Sequence, residues 1–163
     1  MAAQLAASRP HLILLPGLLC DARLWQHQSA ALSAIAQVSV ADLTAEGTIG
    51  AMARHVLRSA PEQFALAGLS MGGYVALEIM RQAPDRVLRL ALLDTNARAD
   101  SPQQTADRWA LIGLARTGEF KGVTRRLLPL LVHRDRVEDE RLAGEIFAMA
   151  ERVGRDAFIR QQR

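Results

Sequence analysis

The chain has 163 residues, half of them hydrophobic and 23% charged, with 20 basic against 17 acidic side chains and a net charge of +3. That balance suits one globular domain with a buried core and excludes a disordered or fibrous chain. The cations are scattered from Arg9 to Arg163 and aromatics make up only 4% of residues, so no basic face interleaved with aromatics is available for nucleic acid.

The opening stretch, MAAQLAASRPHLILLPG, lacks a charged leader followed by a long apolar run. LILL is too short to cross a membrane, so a cytoplasmic protein is expected. The single cysteine, Cys20, builds neither a disulfide framework nor a metal cluster. HLILLPG (11–17) predicts a buried strand closed by a Pro-Gly turn. CDARLWQHQSAALSAI (20–35) predicts a helix with Asp21 as N-cap, and QVSVADL (37–43) a second strand. TIGAMARHVLRSA (48–60) predicts a helix opened by Thr48 and closed before Pro61. QFALAG (63–68), MGGYVALEIMRQA (71–83) and VLRLALLD (87–94) continue as strand, helix and strand. The runs 12–15 and 64–68 carry no charge, as expected of parallel strands buried on both faces. The fold class is α/β.

Past residue 96 the pattern changes. NARADSPQQ predicts a polar linker, followed only by helical patterns: 105–118, 119–132 with Pro129 ending or kinking it, 136–154 and 155–163. The expected organisation is a sheet-containing core over 1–96 and a helical segment over 97–163.

Gly68-Leu69-Ser70-Met71-Gly72 fits G-x-S-x-G between a charge-free strand and an amphipathic helix. In that setting Ser70 occupies a tight strand-to-helix turn, and side chains at 68 or 72 would collide there, so glycine is required at both. The N-terminus of the following helix favours negative charge. The N–H of Met71 then becomes one donor for the oxyanion of an acyl intermediate. The second comes from the loop after an earlier strand, where Leu18 follows Pro16-Gly17.

The stretches LLPGLLCDARLW, LAGLSMGGYVALEI and LRLALLDTNA resemble those of α/β-hydrolase-fold serine hydrolases, of the small cytosolic kind with a helical lid. The resemblance covers roughly 10–96, with 97–163 in the lid's place. Many members have His-Gly where this chain has Pro16-Gly17, but the backbone donor does not depend on that side chain. The resemblance implies a mostly parallel sheet flanked by helices, with Ser70 as nucleophile, Leu18 and Met71 as oxyanion donors, and Gly68 and Gly72 as the elbow glycines. It implies no cofactor or metal and a small-molecule acyl substrate, a carboxylic ester or thioester; the scattered cations and the lack of a strongly basic amphipathic helix argue against nucleic-acid and membrane partners. Apolar residues of the helical segment (Leu111, Ile112, Leu114, Leu127, Leu128, Leu130, Leu131, Ile146, Phe147, Met149) are expected for the most part to pack it onto the core.

The resemblance also implies an acid and then a histidine, each following a later strand that this sequence does not show. Of the four histidines, His11 starts a strand, His27 and His55 sit on helices preceding Ser70, and His133 lies in the helical segment. None is expected to serve as base. Asp94 ends the strand after the Ser70 helix, where strand-end capping is its simpler role. The expectation is therefore a chain that stops inside or just after the lid, with an uncovered sheet edge, a tendency to aggregate, and turnover reduced on the order of a millionfold. The alternative expectation is an inactive hydrolase remnant that acts as a binding module.

Overall fold

Two central strands carry the architecture. β1 (His11–Leu15) and β3 (Phe64–Leu69) lie side by side, with β2 (Gln37–Val40) outside β1 and β4 (Val87–Leu93) outside β3. The order is β2-β1-β3-β4 and every pairing is parallel. The computed structural model describes residues 9–118 and 120–163. Residues 1–8, read above for a leader, and Glu119, the expected start of a helix, lie outside the described residues.

Alternation along β1 sends its side chains to two different cores. Ile13 and Leu15 join Phe64 and Leu66 under α2 (Ile49–Ser59) and α3 (Met71–Gln82), packed on Met52, Val56, Val75 and Ile79. Leu14 joins Ala67 and Trp25 on the opposite face, with Leu12, Val38 and Val40 against it. Burial on this scale is worth about 1.5–3 kcal/mol per large side chain. Helices on both faces of a parallel sheet match the α/β expectation.

Arg86 ties the end of the sheet remote from the strands' C-termini. Its guanidinium donates to the carbonyls of Leu57, Ala60, Pro61 and Glu62 and lies 5.7 Å from the Phe64 ring centre. It thereby caps the C-terminus of α2, where a cation is favoured.

Several boundaries differ from the sequence expectation. The helix expected over 20–35 is a single 3-10 turn (Ala22–Trp25), capped by Asp21, running into α1 (Gln26–Leu32). β2 stops at Val40 rather than residue 43. α4 (Pro102–Thr117) starts inside the expected linker. Ser101 and Gln104 form a reciprocal capping box and Pro102 occupies the first turn, where proline costs nothing. The helix expected over 119–132 is largely absent among the described residues. Gly122 takes φ 58°, and only a 3-10 turn (Arg125–Leu127) and α5 (Leu128–Leu131) form. Pro129 opens α5 rather than ending a longer helix. The last helix, α6 (Glu140–Gln162), begins four residues later than expected and is broken at Gly154 (φ 77°), at the junction between the two expected helices.

α6 and α4 pack together and close over the loop after β1. Leu19 is buried with Ala115, Ala150 and Phe158, and the Phe158 and Phe120 rings lie 5.3 Å apart, tilted by 44°. Of the ten apolar side chains expected to pack the helical segment onto the core, Leu111, Leu114, Leu127, Leu130 and Leu131 are instead exposed. Leu127, Leu130 and Leu131 lie in short elements, whereas Leu111 and Leu114 lie on the solvent side of the regular helix α4. Among the described residues no helix is long and apolar enough to cross a membrane.

Candidate active site

Ser70 sits between β3 and α3 with φ 52° and ψ −117°. A non-glycine residue in that region carries strain of about 1–3 kcal/mol and persists only when its surroundings fix it. Three hydrogen bonds do so. The Ser70 N–H donates to the Leu93 carbonyl at 3.0 Å, and the Ser70 carbonyl accepts from the Gly73 N–H at 2.8 Å and the Thr95 hydroxyl at 2.9 Å.

The glycines are required by close approach. A Cβ on Gly68 would stand 2.3 Å from the Gly72 carbonyl oxygen, and one on Gly72 would stand 2.3 Å from that of Leu15. Gly73 is also tight, since a Cβ there would stand 2.5 Å from the Thr95 side chain. Gly73 and Thr95 were not singled out in the sequence, although both lie inside the quoted motif stretches. The signal available was the second glycine of Met71-Gly72-Gly73.

The loop after β1 meets the elbow. A Cβ on Gly17 would stand 3.6 Å from the Ser70 Cβ, so the backbone of Leu18 begins beside the serine. Met71 is the first residue of α3, and its N–H has no carbonyl partner within its own helix. Gly17–Cys20 form a turn closed by the Cys20 N–H on the Gly17 carbonyl at 3.1 Å, with Leu19 at φ 57°. Burial, and then the charge of Asp21, push the Cys20 thiol up to about 11.

Among the described residues no histidine hydrogen-bonds to Ser70. His11 pairs with Gln37 and lies level with Phe64, so Ser70 is on the order of 20 Å farther along the sheet. The His27 ring contacts Gln26, the His55 ring contacts Arg58, and the His133 ring accepts from the Asp135 N–H. Asp94, at φ 44°, directly follows the Leu93 carbonyl that holds Ser70 and is itself exposed. Among the described residues no group of three His, Cys, Asp or Glu side chains is placed to hold a metal ion. A cavity of about 800 Å³ lined by Phe120, Phe147, Glu151 and Arg155 lies within the helical segment, and Ser70 is not part of its lining.

A parallel sheet in the order β2-β1-β3-β4 with a strained serine at the β3–α3 junction is the α/β-hydrolase fold. No family model matches the chain. Solved structures do. A hydrolase from Pseudomonas aeruginosa superposes with a TM-score of 0.82 at 22% identity, over 96% of this chain and 64% of that one. A thermophilic esterase from Thermogutta terrifontis superposes with a TM-score of 0.76 at 25% identity, over 92% of this chain and 61% of that one. A curated relative, the pimeloyl-[acyl-carrier protein] methyl ester esterase of Vibrio campbellii, is 34% identical over 107 residues, which are 61% of this chain and 40% of that protein. The chain thus spans less than half of this curated relative and under two thirds of the solved hydrolases.

Proposed function

We propose that the chain carries the nucleophile and oxyanion half of a serine esterase acting on carboxylic esters or thioesters, with 1–96 as catalytic core and 97–163 as lid. Ser70 attacks the carbonyl carbon, its hydroxyl proton passes to a base, and the oxyanion rests on the N–H groups of Leu18 and Met71. The alcohol or thiol leaves, and water cleaves the acyl-enzyme. The observation that carries this reading is the strained Ser70 (φ 52°) at the N-terminus of α3, with the Gly17 loop against it. The ester class is drawn from the esterases named among the relatives.

That no histidine among the described residues hydrogen-bonds to Ser70 favours a second reading for the chain by itself, a hydrolase-like binding module with little turnover. One experiment divides the two. The folded chain is treated with a fluorophosphonate, with imidazole added as an external base. Stoichiometric labelling at Ser70 that is lost in Ser70→Ala supports the nucleophile, labelling that survives Ser70→Ala sinks it, and an unlabelled Ser70 in folded protein favours the second reading for the chain by itself.

A further inference from the structure

Gln161 is buried at 7% exposure in the last turn of α6 and does two things at once. Its Oε1 accepts from the Leu19 N–H at 3.2 Å, and its Nε2 donates to the Leu43 carbonyl at 3.1 Å. The two partners are opposite in kind, so only one orientation of the side-chain amide satisfies both. The residue therefore bridges the loop after β1 to the loop after β2.

The N–H that Gln161 holds belongs to the central peptide of the Gly17–Cys20 turn. That peptide, between Leu18 and Leu19, is the one whose rotation interconverts the two common turn types, and the form with positive φ at the third residue disfavours leucine there. Leu19 keeps φ 57° because the turn is held from outside. Gln161 takes its N–H, and Phe158, one turn earlier on α6, takes part in burying its side chain. The break at Gly154 permits this aim. With φ 77° it redirects the final stretch so that Ala157, Phe158, Gln161 and Gln162 turn inward together.

We infer that Gln161 is a positioning residue, by which the end of the helical segment fixes the turn carrying the Leu18 N–H. The inference rests on the reading of Leu18 as an oxyanion donor. Gln162 is the natural control. It is equally buried, but its Oε1 accepts from Arg108 Nη1 at 2.8 Å, wholly within the helical segment.

The test compares the full chain with Gln161→Leu, Gln161→Glu and Gln162→Leu. Ser70 labelling by fluorophosphonate with imidazole is read beside the melting temperature and amide exchange at Leu18 and Leu19. Gln161→Leu should label about tenfold more slowly and exchange the Leu19 amide at least about tenfold faster. Gln161→Glu keeps the acceptor for Leu19 and loses the donor to Leu43, so it should fall between. Gln162→Leu should lose a similar amount of thermal stability while keeping both the labelling rate and Leu19 protection. Equal slowing in Gln161→Leu and Gln162→Leu overturns the inference, as does unchanged Leu19 exchange in both Gln161 variants. If the wild-type chain fails to label, the binding-module reading of the chain is favoured, and exchange at Leu19 alone still decides whether Gln161 holds the turn.

Discussion

β3 and β4 are neighbours of similar composition and opposite circumstance. FALAGL pairs on both sides, with Phe64 at 0% and Leu66 at 1% exposure. Among the described residues VLRLALL pairs only with β3, and its Leu88, Leu90, Leu92 and Leu93 are exposed. An apolar strand sequence thus shows that cover is needed, not that these 163 residues provide it. The two strands still cooperate at the site, because the last carbonyl of β4, on Leu93, holds the Ser70 N–H.

The hardest break falls where β3 enters the elbow. Gly72→Ala drives a Cβ into the Leu15 and Pro16 carbonyls and should cost about 4 kcal/mol or more, read as a collapse of the urea midpoint. Truncations then sharpen the contrast between the strands. Leu66→Ala should cost about 2–5 kcal/mol and Leu90→Ala about 1 kcal/mol or less. Equal losses in denaturant titrations would mean that β4 is covered in solution. Leu92→Lys should barely change the urea midpoint yet lower light scattering at high concentration, since a charge on an exposed edge opposes strand-to-strand association. Unchanged scattering would free this edge from blame.

The smallest effect concerns pH. On α3, Glu78 accepts from Arg81 and Gln82, and these bonds hold its carboxyl down to about 2. A folded value below the unfolded one stabilises above about pH 4.5, and that stabilisation is lost as pH falls through about 2. Glu78→Gln should therefore flatten the decline in melting temperature between those limits.

Legibility in the sequence followed the range of the cause. The charge-free runs located β1 and β3, and Gly-x-Ser-x-Gly located the elbow, because both are local patterns. The start of α4 is also local, yet Ser101-Pro102-Gln103-Gln104 has the composition of a linker. The helix expected over 119–132 failed at Gly122, whose positive φ no periodicity reveals. Gln161 was invisible for another reason. In RQQR it is one polar residue among four, and only the folded chain separates it from Gln162.

That same bond has a consequence in time. Leu19 and Gln161 are 142 residues apart in the chain. At about 5–20 residues per second of synthesis, the turn beside Ser70 waits roughly 7–30 s for the side chain that bonds its central peptide. β1, β2 and β3 have all emerged well before then. The residues of the serine elbow are therefore all made before the side chain that bonds the turn beside it, so the loop made first is among the last parts of the site to gain its full set of contacts.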